Sequence, residues 1–125
     1  MSSTDKKVGY SPTGKIDDVT PDMAASGTEA VLRLIEGKWK LVIIFQLFGS
    51  GTLRFSKLER AIPAASQKML IQQLRELEVD GIVMRKVYPQ VPPRVEYSLT
   101  DWGQKMCPAL DALLEWGAVR PPLPG

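Results

Sequence analysis

Histidine does not occur in this 125-residue chain, and cysteine occurs once, at Cys107. Without histidine the commonest general base and the commonest metal ligand are missing, so no Ser-His-Asp or Cys-His site can be built. A single thiol excludes a disulfide within the chain and points to a reducing cytoplasm. There is no P-loop, no GxGxxG opening a helix, no HExxH and no GxSxG, so neither an enzyme nor a cofactor or metal site is expected. Long apolar runs are also lacking. The longest, Leu41 to Phe45, falls far short of the roughly 20 residues of a membrane span. The first residues contain no apolar h-region, so no signal peptide is expected.

What is present is ordinary in amount and uneven in place. Charged residues make up 24% of the chain, with a net charge of +2. Residues 54–94 hold eight basic and four acidic side chains, whereas the segments before and after are neutral and acidic. A basic middle segment suits a polyanionic partner. The length allows one domain with one core. Residues 1–25, rich in small and polar groups, read as an N-terminal tail; 26–118 read as the domain and 119–125 as a C-terminal tail.

From Thr28 the pattern becomes helical, with Val31, Leu32, Leu34 and Ile35 on one side and Gly37 as the stop. The next helix, KWKLVIIFQLF, is apolar almost all round and is expected at the centre of the core, covered on every side. Thr52 to Phe55 allows only a stub of strand. Ser56 is expected to cap a third helix that Pro63 closes, and Ser66 a fourth, SQKMLIQQLRELEVD, ended by Gly81. Leu70, Leu74 and Leu77 form the apolar stripe of that fourth helix. VMRKVY and RVEYSL alternate as strands, joined by a stiff PQVPP tip. Thr100 is placed to cap a last helix, with Pro108 inside it and expected to kink it near Gln104. The fold class expected is mainly α with a small β-hairpin wing: two helices joined by a short PAA turn, then a twisted hairpin, which is a winged helix-turn-helix.

Opposite its leucines the fourth helix carries Lys68, Gln72 and Arg75, with Ser66 and Gln67 at its start. Lysine neutralises phosphate, while glutamine and arginine can bond bidentately to adenine and guanine. By itself such a face is also what a solvated surface helix looks like. Arg85, Lys86 and Arg94 add cations on the hairpin, where a wing would meet the DNA backbone or minor groove. The last helix has an apolar arc, including Trp102, Met106, Leu110, Leu113 and Trp116, too wide for one small core. A symmetric dimer through the first and last helices, with Leu32 and Ile35 contributing, would cover it, as would a last helix packed wholly within its own core. Cys107 has no cation or second thiol placed by sequence to activate it.

Four segments carry a resemblance: GKW at 37–39, RFSKL at 54–58, LIQQLRELEVDGIV at 70–83 and YPQVPPRVEYSLTDWG at 88–103. Over about Thr28 to Gly117 the chain resembles the HxlR-type family of bacterial winged-helix regulators. The resemblance implies a cytoplasmic, nucleoid-associated homodimer on double-stranded DNA at a palindromic operator, with helix 66–80 in the major groove and wing 88–94 on the backbone or minor groove. It also implies repression or activation of a nearby gene, often in response to reactive carbonyls, quinones or oxidants. In several relatives the sensor is a cysteine thirteen residues ahead of the GKW tryptophan; here that residue is Ser26, so thiol sensing is not carried over. A non-covalent small-molecule effector stays open. So does a second reading, a winged-helix protein-interaction module without specific DNA binding.

Overall fold

A computed structural model describes residues 19–124. Residues 1–18 of the expected tail lie outside the described residues. The chain divides into two units, Met1–Leu34 and Ile35–Gly125.

In the first unit, helix α1 (Pro21–Ile35) begins well before Thr28, and the expected domain start at residue 26 falls inside it. The Thr20 hydroxyl accepts from the Met23 N–H at 3.1 Å, Pro21 takes the first helical position, and Asp22 lies in the first turn. Those three residues form a helix start: an oxygen cap, a proline that lacks the N–H anyway, and an acid at the positive end. Thr28 sits mid-helix, its hydroxyl donating to the Ala24 carbonyl at 2.8 Å. The periodic apolar residues begin only where the helix is half built.

The second unit opens on a tight turn in which Gly37 has φ 128° and Trp39 φ 79°. It continues as α2 (Lys40–Ser50), β1 (Thr52–Arg54), α3 (Phe55–Ala61) and α4 (Gln67–Val79). β2 (Val83–Tyr88), β3 (Arg94–Leu99) and α5 (Asp101–Ala118) complete it. The stub at 52–54 is a true edge strand. It pairs antiparallel with β3, Thr52 opposite Ser98 and Arg54 opposite Glu96, giving a three-stranded sheet in the order β1-β3-β2. Helix α3 starts at Phe55, so Ser56 lies inside it and does not cap it. Ser66 does cap α4, accepting from the Met69 N–H at 3.1 Å. At the other end Gly81, with φ 79°, donates to the Glu78 carbonyl while the Ile82 N–H reaches the Leu77 carbonyl at 2.9 Å. That pair of bonds closes the helix and turns Ile82 inward.

The core of this unit joins Ile43, Ile44 and Leu47 of α2 to Leu58 of α3 and to Leu70, Leu74 and Leu77 of α4. Ile82, Val83, Tyr97, Leu99, Cys107 and Leu110 complete it. Helix α2 is covered on one side only, contrary to its all-round apolar pattern. Leu41, Val42, Phe45 and Phe48 remain 36–43% exposed, because one thin layer of helices and sheet cannot enclose a helix completely. Helix α5 runs unbroken through Pro108 and buries only Gly103, Cys107 and Leu110, a single stripe at i, i+4, i+7.

Candidate nucleic-acid interface

Helix α4 is oriented by its inward stripe. With Leu70, Leu74 and Leu77 buried, Lys68, Gln72 and Arg75 must face solvent, and all three are exposed. One step round the helix, Gln67, Ile71, Arg75 and Glu78 look across to the hairpin. Between the two elements lies an open cleft of about 590 Å³. Its far wall is the hairpin, with Arg85, Gln90 and Arg94 among its lining, and Arg54 lines it as well. Phe55 and Tyr97 line it too, their rings 6.5 Å apart and tilted by 56°.

Strand register separates the hairpin's cations. Arg85 is paired with Tyr97 and so shares the face of the sheet that carries Tyr97. Lys86 is paired with Glu96, and Tyr88 with Arg94, on the opposite face. There the Arg94 guanidinium lies 4.0 Å above the Tyr88 ring and the Lys86 ammonium lies 5.0 Å from it. Arg94 Nε is 3.4 Å from a Glu96 oxygen, a charged contact without the alignment of a hydrogen bond. Arg94 is thus braced by an aromatic face and a carboxylate, whereas Lys86 and Arg85 are exposed on opposite sides of one ribbon.

The cleft therefore brings Gln67, Arg75 and Arg85 together, with Arg94 at its margin, its guanidinium held on the reverse face by Tyr88. Lys68 and Gln72 stand outside it on the solvent side of α4, Ser66 spends its oxygen on the cap, and Lys86 lies on the reverse of the wing. Gln72 also leans toward Glu76, whose carboxylate it helps to hold below the usual range after the larger effect of Lys40. Arg54, Ile71 and Gln90 were not singled out from sequence. Ile71 follows from Gln67 by one helical turn, but Arg54 reaches the cleft only because β1 joins the sheet.

Of the residues expected at a dimer interface, Ile35 and Leu110 are already buried in the single chain. Met106 is half-buried. Leu32, Trp102, Leu113 and Trp116 are 43%, 51%, 49% and 76% exposed. Ser26 lies on α1, exposed, and not ahead of the helix.

A family model described as HxlR-like helix-turn-helix matches residues 34–121. An uncharacterised HTH-type transcriptional regulator of Methanothermobacter thermautotrophicus is 48% identical over 103 residues, which are 82% of this chain and 78% of that protein. Among solved structures, the oxidised form of the redox regulator HypR is 44% identical, with a TM-score of 0.67 over 78% of this chain and 99% of that one. A structure assigned to the MarR family of transcriptional regulators, from Enterococcus faecalis, has a TM-score of 0.75 at 37% identity, covering 84% of this chain and 92% of that one.

Proposed function

Because the chain belongs to the HxlR-like helix-turn-helix family, we propose that it is a DNA-binding transcriptional regulator, not an enzyme, with α4 as its recognition helix and the β2–β3 hairpin as its wing. The observation that carries this reading is the arginine-lined cleft between those two elements. A base-reading helix and a backbone-clamping ribbon face the same space, with Gln67 and Arg75 on one side and Arg85 on the other. Lys68 and Gln72 extend the reading face outward, and Lys86 faces the second wall of any groove the wing enters. The opposed positions of Arg85 and Lys86 suit a ribbon placed between two phosphate strands.

The working form is a homodimer on a palindromic site in the cytoplasm. Trp102, Leu113, Leu114 and Trp116 of α5 leave an apolar surface that water would cover at a cost, and a second copy removes it. The exposed Val31 and Leu32 of α1 are offered to the same association. HypR is a redox regulator. In this chain Ser26 stands where the family resemblance implies a sensing cysteine, and Cys107 is buried, so any effector acts here without thiol chemistry at residue 26.

Fragments of genomic DNA selected by the purified protein supply the duplex for titration. Arg75→Ala and Gln67→Ala should each weaken binding to that duplex, Arg75→Ala with a shallower salt dependence and Gln67→Ala with an unchanged one. A wild type that selects no sequence and binds with no salt dependence would return the fold to a protein-interaction role.

A further inference from the structure

Glu78 is the only acidic side chain among the described residues lining a cleft that otherwise carries four arginines. Its placement is unfavourable twice over. It occupies the last turn of α4, where unsatisfied carbonyls already give the helix end a partial negative charge. It also faces the space where a polyanion would lie. Its partner is Arg85, whose Nε is 3.7 Å from the Glu78 carboxylate. Both side chains are about half exposed, so solvent screens the pair and it adds little to folding. Neither stability nor attraction for DNA accounts for the carboxylate.

We propose that Glu78 is a specificity-determining residue that acts through Arg85: it masks part of that charge and fixes the direction of its guanidinium. Arginine has a planar fork of five donors, so a carboxylate taken up on the Nε side leaves the outer edge free to donate into the cleft. Arg85 is rooted opposite Tyr97 in the register of β2 and β3, and both residues line the cleft with Glu78. Burial raises the Tyr97 pKa most, with Arg85 lowering it and Glu78 raising it again. Binding to arbitrary DNA relies on charge alone, so a masked cation and a repelling carboxylate weaken it. Binding at a matching site adds a directional bond from the aimed guanidinium, which offsets that loss. Repulsion toward the wrong partner is a recognised way to widen a difference in affinity.

The inference rests on the DNA-binding reading, and the test separates the two. Glu78→Gln, Arg85→Gln and the double variant are titrated against a random-sequence duplex and against the duplex recovered by genomic selection, over a range of salt. Glu78→Gln should bind the random duplex about two- to fivefold more tightly. Its salt slope should steepen by about 0.9 per bound chain. The selected duplex should gain less or lose affinity, so that the ratio between the two falls. In the Arg85→Gln background that change in ratio should vanish. A Glu78→Gln variant that shifts both duplexes by the same factor, or lowers the ratio equally without Arg85, overturns the proposal while leaving the DNA reading intact. A wild type that binds neither duplex overturns the DNA reading first, and this proposal with it.

Discussion

Thr100 shows how much one side chain can hold. Its hydroxyl accepts from the Gly103 N–H at 3.0 Å, capping α5, and donates to the Gly81 carbonyl at 2.6 Å. Its own N–H reaches the Ile82 carbonyl at 2.9 Å. One residue thereby ties the start of the last helix to the exit of α4. Thr100→Ala should lower stability by about 1–2 kcal/mol, the upper part of the range for a lost cap, since it also leaves a carbonyl short of a donor. Chemical denaturation measures it. Gly103 faces the same turn, and a Cβ there would run into the Ile82 carbonyl, which is backbone and cannot swing aside. Gly103→Ala should cost about 1–3 kcal/mol in the same assay although alanine favours helices. Nothing in the sequence marks that glycine, because the close approach exists only once α5 has packed. Cys107 is different. Burial, with Asp111 adding to it, raises the thiol pKa, so near neutral pH the thiol stays protonated and unreactive. Mild peroxide or diamide should leave DNA affinity unchanged in the wild type and in Cys107→Ser alike; a loss in the wild type alone would make Cys107 a switch.

At the scale of elements, α2 and α4 are joined by an ion pair between buried Lys40 and half-exposed Glu76, 2.7 Å apart. Lys40 is the main reason the Glu76 carboxyl lies below its usual range, through hydrogen bonding first and charge second. A carboxylate whose folded pKa is depressed contributes stability above its unfolded pKa and loses it as pH falls through the folded one. The acid limb of the stability profile, below the ordinary carboxylate pKa, should therefore flatten in Lys40→Met, which keeps the apolar stem and removes the charge. Urea midpoints measured across that limb in both proteins supply the test. The pair was invisible in sequence, since Lys40 and Glu76 lie on separate helices and each reads as a surface charge. The caps of α4 and α5 were legible because they are local: Ser66 and Thr100 meet N–H groups three residues on. The start of α1 was equally local in Thr20, Pro21 and Asp22, yet apolar period alone pointed to Thr28.

For the whole molecule, the apolar residues left on α5 decide the expected state. Trp116 at 76% exposure and Leu114 at 65% are unusual on a chain that works alone. Light scattering at micromolar concentration should return twice the 13.8 kDa chain mass. Leu113→Asp with Trp116→Asp should return the single mass while far-ultraviolet circular dichroism stays native, because neither side chain is part of the chain's own core. Dimer loss should also weaken binding to a two-half-site duplex far more than to one half-site, since the second site is then no longer held nearby.

The sequence by itself determined the order of helices and strands, the inward leucines of α4, the capping residues and the family, because each depends on neighbours within a few residues or on a string long enough to compare. It also narrowed the proposed reading surface to α4 and the hairpin. The tertiary structure alone decided which of those cations share a space. Register set Arg85 beside Tyr97 and Lys86 beside Glu96, the edge strand brought Arg54 to the cleft, and the packing of α4 against the hairpin set Glu78 against Arg85. Such placements depend on contacts between residues far apart in the chain, and no local pattern records them.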